Sequence, residues 1–419
     1  MRRPLKTSPH KLSPDSQRLI ALAEATNQAS SRLERRVWEK SLDEFVLKLL
    51  KASRQTNIDA ALEHLFKTEL NAYDTLLETT EAVSESSILE QDEVKYDVLL
   101  IAAPILAWTR FSIASGSLPA EVQITLSEYL AANILSAEAR MAMAPTLFSI
   151  EQLPYSHVDT FSLTKRLSQS ALKGTAFRVV PNKQETVPFL ADVRYLLAAV
   201  AVPSGAPVFR WQTLQNPAES GVAREECLVE WQKQATPSLV RLLPGCNIEL
   251  LLPEAFFAAC RKADLQIRPA SIRAAIHYLT HTLEIQPSDL CAVIGGFGEL
   301  AENDYVDEYR VGFMTRNDGR ILYGIVWPIY GPEEAQQTLA ADSPGRIPED
   351  AVSGRKRDTP IEQILALLHE SEVDCEKIHD ERFPMDFCED CGAPLFADRA
   401  GELVHAEMPE DAPQSGHFH

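Results

Sequence analysis

The chain has 419 residues, and at ~150 residues per domain that length predicts two to three domains. Lys and Arg number 40 against 60 Asp and Glu, a formal charge of −20, with 45% hydrophobic and 24% charged residues. This is the composition of a globular protein, and its acidic balance excludes a general affinity for nucleic acid or anionic membrane, because phosphate binding needs clustered cations. No apolar run approaches the ~18–20 residues of a membrane-spanning helix.

Residues 1–14 carry Arg2, Arg3, Lys6 and Lys11 with three prolines and no apolar segment behind them, so they read as a disordered tail and not as an export signal. Helical spacing follows to about residue 85. Ser31-Arg-Leu-Glu34 is a capping box opening a helix that runs to about Lys51. Thr56 starts another, with Ile58, Ala61, Leu62, Leu65 and Phe66 on one face. The period then changes. Tyr96–Pro104 is an apolar run of strand length ended by proline, followed by a helix after Pro119, a short strand over Thr146–Leu153, a helix over 160–172 and a short strand over Phe177–Val180.

The order recurs. Tyr195–Pro203 repeats the Tyr-to-Pro spacing of Tyr96–Pro104, a tryptophan follows each (Trp108, Trp211), and Ser149–Pro154 finds a counterpart in Ile248–Pro253. This pattern fits a diverged duplication of a β-α-β-α unit, although buried strands resemble one another without common descent. A weaker third copy begins near Ile321–Pro328, which with Tyr309–Met314 brackets an Asn-Asp-Gly turn and predicts a hairpin. Gly295-Gly-Phe-Gly298 fits no phosphate-binding pattern and reads as a loop. Thr359-Pro360-Ile361-Glu362 starts a helix through a capping box with proline at its first position.

The expected architecture is α/β or α+β: a tail over 1–14, a helical segment over 15–90, α/β units over 91–185 and 186–288, and a weaker third unit over 289–380 with a mobile loop at 340–357. A metal knuckle over 381–412 and a tail over 413–419 complete it.

There are seven cysteines. Their odd number and low density argue against a disulfide framework and suit a reducing cytoplasm. Cys227, Cys246, Cys260 and Cys291 sit in apolar patterns and read as small buried hydrophobes. Cys388-Glu-Asp-Cys391-Gly392 differs. Two thiolates at this spacing grip one ion when the backbone folds into a tight knuckle, and glycine permits the positive φ that such a turn uses. Gly401–His405 can return as the second strand of a ribbon and present His405, giving Cys-x2-Cys-x13-His. The fitting metal is zinc. The fourth ligand stays open among Cys375, His379 and Glu407, with His417 and His419 also within reach of the tail. Residues 371–419 hold thirteen acidic against three basic side chains, a net of −10, which reads as a solvated acidic tail or, more sharply, as a field that favours cation capture.

Other constellations read as structural. His277 and His281 lie one helical turn apart without the glutamate of a zinc-peptidase motif, and read as solvated surface. Asp192-Val-Arg194 and Asp307-Glu308-Tyr-Arg310 read as surface charge pairs of little weight.

Phe383–Leu395 with Gly401–Glu410, Pro188–Tyr195 and Leu62–Lys67 together resemble a full-length β-proteobacterial family known only as a domain of unknown function. The resemblance covers nearly the whole chain and implies a bacterial cytosolic protein without an assigned activity. The Cys-x-x-Cys-Gly-Ala-Pro-Leu piece alone looks like half a zinc ribbon. Two functions follow from these readings. One is a non-enzymatic regulatory or adaptor protein with a structural zinc knuckle, recognising an unknown protein or small-molecule partner. The alternative is a metal-dependent hydrolase or transferase acting on a small molecule through an open coordination position.

Overall fold

The computed structural model describes residues 12–109, 113–175, 177, 190–214, 216–298, 306–330 and 358–408. The loop expected at 340–357, the tail at 413–419 and residues 178–180 of one expected strand lie outside them, as does most of the tail at 1–14. What is described of that first tail is ordered: the Ser13 hydroxyl accepts the Ser16 N–H at 3.0 Å and Pro14 is the first helical residue.

Four helices open the chain: α1 (Pro14–Gln28), α2 (Arg32–Lys51), α3 (Gln55–Thr68) and α4 (Leu70–Glu85). The Ser31 hydroxyl accepts the Glu34 N–H at 3.2 Å, which starts α2 where the Ser-x-x-Glu spacing places it. The apolar stripes meet in one core around Leu19, Leu42, Leu49, Ile58, Leu65 and Leu76.

The next elements are β1 (Ser86–Gln91), β2 (Val94–Trp108), β3 (Gly116–Ser117), α5 (Ala120–Asn133), β4 (Arg140–Met143), β5 (Thr146–Leu147) and α6 (His157–Lys173). They are followed by β6 (Ala191–Pro203), α7 (Ser220–Leu242), β7 (Asn247–Leu250), β8 (Glu254–Ala255) and α8 (Phe256–Leu283). β2 and β6 run antiparallel at the centre of the first sheet, with Tyr96 opposite Pro203 and Pro104 opposite Tyr195. The short strands are exchanged between the halves: β4 of the first half pairs with β6, while β7 and β8 of the second half pair with β2. The role expected of Ser149–Pro154 therefore falls to β4, and residues 150–152 form a 3-10 turn instead.

Side-chain alternation divides the sheet cleanly. Ile101, Ala103, Ile105 and Ala107 face α5 and α7 with Trp231 and Leu239, whereas Val98, Leu100, Ala102 and Leu106 face α6 and α8 with Leu167 and Phe256. Both faces are covered, which explains the continuous apolar run. Pro104 does not end β2. β8 pairs with Ile101 and Ala102 and β7 with Ile105–Trp108, so the proline stands in the gap between them, where no ladder bond is asked of its nitrogen. α8 is a single helix. It continues through Pro269, its first half packing on this sheet and its second, through Ile272, Ile276 and Leu279, on the next.

The second sheet has the order β11-β10-β9-β12, from β9 (Leu290–Gly298), β10 (Glu308–Thr315) and β11 (Tyr323–Pro328). α9 (Pro360–Glu370) leads into β12 (Cys375–Pro384), which lies parallel to β9. Gly295-Gly-Phe-Gly298, expected as a loop, is the end of β9. Its glycines serve close packing, because a Cβ on Gly295 would stand 3.1 Å from the rings of Phe297 and Phe383. A ribbon of β13 (Phe396–Ala397) and β14 (Leu403–Val404) lies against this sheet. Its anchor is Phe396, whose ring fills the place of a side chain at Gly324.

Candidate metal centre

The knuckle is built by backbone hydrogen bonds. The Cys388 N–H donates to the Ala393 carbonyl at 2.7 Å, and the Gly392 N–H donates to the Cys388 carbonyl at 2.8 Å. Gly392 has φ +74°, the left-handed turn that the Cys-x-x-Cys-Gly spacing calls for. The backbone N–H groups of Cys391 and Asp390 hold the Cys388 thiol below its ordinary pKa range. The turn of the ribbon is fixed by Asp398, whose Oδ1 accepts the N–H groups of Ala400 and Glu402 at 2.8 and 2.9 Å. That turn brings β14 back and places His405 one residue beyond it.

The ligand atoms of Cys388, Cys391 and His405 lie within 4.8 Å of one another. His405 Nε2 stands 3.2 Å from Cys391 Sγ, close to the roughly 3.5 Å between donors that share one zinc at ~2.0–2.3 Å each. On the other side of the ring, Nδ1 lies 3.4 Å from an oxygen of the exposed Glu407 carboxylate, without a hydrogen bond between them. Nε2 is thus the ring nitrogen turned towards the sulfurs. Two thiols and an imidazole on a preformed turn fit zinc in donor chemistry and spacing.

The three candidates for a fourth ligand lie elsewhere. Cys375 forms a disulfide with Cys291, directly opposite it on neighbouring strands. This corrects the expectation that Cys291 is only a small buried hydrophobe and adds one cross-link to a chain whose sequence predicts no disulfide framework. His379 Nε2 donates to the Asp398 carbonyl at 2.7 Å, and its ring meets Phe383 edge-on. The Glu407 carboxylate lies on the far side of the His405 ring, away from the clustered ligand atoms. Among the described residues no fourth His, Cys, Asp or Glu joins the cluster; His417 and His419 lie outside them.

Sequence reasoning passed over the residue that seats the knuckle. Arg310 of β10 is buried, not a surface charge. Its Nη1 donates to the carbonyls of Asp386 and Leu395 at 2.8 and 2.7 Å, one on each flank of the knuckle. Its Nε donates to Glu308 at 2.6 Å, and its guanidinium stacks between Phe297 and Phe387 at 4.3 and 5.1 Å. Asp192-Val-Arg194 repeats the design in the first sheet: Arg194 is buried against Asp192 and donates to the carbonyls of Ala114 and Ile113 at 2.9 and 2.7 Å. The signal available in sequence is an acid two residues before an arginine at the start of an apolar strand.

The remaining cysteines are packed against the cores, and burial pushes the Cys260 thiol up to about 12. His277 and His281 are exposed with ring centroids 6.1 Å apart, and they border a cavity of about 290 Å³ with Trp108 and Asn247. No helix among the described residues is long and apolar enough to cross a membrane.

The chain belongs to the family described as a protein of unknown function, DUF2863, whose model matches residues 4–418. No curated protein and no solved structure matches it.

Proposed function

We propose that, in this member of the DUF2863 family, Cys388, Cys391 and His405 hold one zinc ion that fixes the C-terminal ribbon of a cytoplasmic bacterial protein with a regulatory or adaptor role. The observation that carries the reading is the convergence of two thiols and an imidazole on a turn already folded by its own backbone. The ion supplies cross-linking between the knuckle and the strand that bears His405, joining chain segments that share little core. Arg310 holds the knuckle to β10. The unknown protein or small-molecule partner would then meet a surface whose C-terminal part is fixed and strongly acidic.

A three-donor set among the described residues also favours a second reading. Three protein ligands and a water form the catalytic zinc pattern, suited to a hydrolase or transferase acting on a small molecule. Elemental analysis of the purified, untagged chain tests the shared premise. About one equivalent of zinc is expected, falling sharply in Cys388→Ser, and less than about a tenth of an equivalent removes both readings. Absorption of the cobalt-substituted protein then separates them. A closed tetrahedral spectrum unchanged by added azide supports the structural role, and a spectrum shifted by azide supports the catalytic one.

A further inference from the structure

We propose that Cys291–Cys375 is a thiol–disulfide exchange site for a dithiol reductant. Three features of its surroundings point there. First, the two sulfurs differ in access: Cys291 lies in the buried strand β9 at 1% exposure, whereas Cys375 opens β12 and is half-buried. An incoming thiolate therefore reaches the Cys375 sulfur. Second, Arg399, at the turn of the ribbon, places Nη2 3.0 Å from both sulfurs. A guanidinium is an always-charged donor with no acceptor, so its position against a disulfide becomes useful when a thiolate is released. Third, Arg399 is exposed and reaches the pair across the sheet edge from a separate piece of chain, so it is not part of the packing that closes the bond.

The chemistry runs in two displacements. The reagent thiolate attacks Cys375 Sγ, a bond forms between the reagent sulfur and Cys375, and the Cys291–Cys375 bond breaks with its electron pair leaving on Cys291, beside Arg399. The second thiolate of the same reagent then attacks the reagent sulfur of this mixed disulfide and expels Cys375 as a thiolate. Two electrons pass from the dithiol to the protein, which takes up two protons from solvent, and the reagent leaves as a cyclic disulfide. The reverse steps restore the bond from an oxidised reagent of the same class. A monothiol fails for a structural reason. Cys291 and Cys375 are paired across neighbouring strands with Cα atoms 4.5 Å apart, so the freed Cys291 thiolate recloses on Cys375 faster than a second free thiol arrives. Only a second thiol carried by the same reagent competes.

The inference does not rest on metal binding at the knuckle. It is tested on the full-length native chain, purified without reductant and held free of denaturant. Samples are incubated with dithiothreitol or with glutathione at equal total thiol, quenched in acid, alkylated and mapped by mass spectrometry. Dithiothreitol is expected to open Cys291 and Cys375 in the folded protein, with glutathione at least about tenfold slower. Arg399→Gln is expected to slow the dithiothreitol reaction roughly tenfold, the rate equivalent of one hydrogen bond to a charged group, with Arg399→Lys recovering part of the loss. The proposal is overturned if both cysteines are free thiols in the starting protein or if the bond opens only at denaturant concentrations that unfold the chain. Equal rates for the two reductants, or an Arg399→Gln rate within about twofold of the parent, overturn it as well. The comparison of reductants uses the unaltered chain and needs no variant to fold.

Discussion

Arg310→Met is the perturbation that tests how the knuckle is seated. Methionine keeps an unbranched apolar stem reaching about as far as Nε while removing every donor. Three hydrogen bonds are lost, to the Asp386 carbonyl, the Leu395 carbonyl and the Glu308 carboxylate, along with the guanidinium packed between Phe297 and Phe387. The larger cost is what remains. Glu308 keeps a carboxylate at 13% exposure with its cation gone, and breaking a buried pair from one side costs about 3–5 kcal/mol. Arg310→Met/Glu308→Leu removes the orphaned charge as well and leaves only the two carbonyls to be rehydrated, so its loss falls to about 1–2 kcal/mol. Urea unfolding at pH 7 of the parent, the single and the double variant gives the three free energies. A zinc-competition titration with a chromophoric chelator gives the affinity of the knuckle. The single variant is expected to bind zinc at least about tenfold more weakly, because the two flanks of the Cys-x-x-Cys turn lose their common anchor. The reasoning is refuted if the single variant loses less than about 1 kcal/mol and binds zinc like the parent. It is also refuted if the double variant is no more stable than the single.

Three further expectations concern the frame. Glu85 caps α8 by accepting the Phe257 N–H at 2.9 Å, yet burial pushes its carboxyl up to about 7 from 4.5. With its folded pKa raised, the stability it contributes is complete below about pH 4.5 and is lost as pH rises to about 7. Glu85→Gln should therefore gain roughly 2–3 kcal/mol on the parent between pH 4.5 and pH 8 in paired denaturation curves, and a constant difference across that range would contradict it. Gly324→Ala puts a Cβ 2.2 Å from the Phe396 ring and should destabilise the chain by about 1–3 kcal/mol. Phe396→Leu in the same chain should recover part of that loss, and an additive double-mutant cycle would rule out the contact as the cause. Thr359→Ala removes the hydroxyl that accepts the Glu362 N–H at 3.3 Å and should cost about 1 kcal/mol by thermal unfolding.

What the sequence reveals depends on how far its cause lies along the chain. Ser31 and Thr359 cap helices through partners three residues away, and both starts are legible. The same holds for the Cys388–Gly392 turn, closed by bonds within six residues, and for the ribbon that returns His405 towards it. The end of β2 is misjudged because Pro104 is a terminator only if a neighbour needs an N–H at that position, and the neighbours there, β7 and β8, come well over a hundred residues later. Gly295 and Gly296 look like a loop because local chemistry is blind to the Phe383 and Val306 side chains that exclude a Cβ there. Cys291 and Cys375, 84 residues apart, carry no local mark of pairing. Arg310 and Arg194 were legible in kind, as an acid-x-Arg pattern opening an apolar strand. Reading them as surface pairs overlooked that an apolar strand buries whatever points inward.

The exchange of short strands between the two halves of the first sheet has a consequence for biosynthesis. β2 is complete at residue 108, but its pairing is not satisfied until β6, β7 and β8 have been made, up to residue 255. At ~5–20 residues per second this leaves a strand apolar on both faces, paired only with β1, for roughly 7–30 s on the ribosome. The sheet of the first half stays incomplete until the second half is made. It matures together with the second, and the growing chain depends through that interval on whatever shields a bare β-edge from other chains.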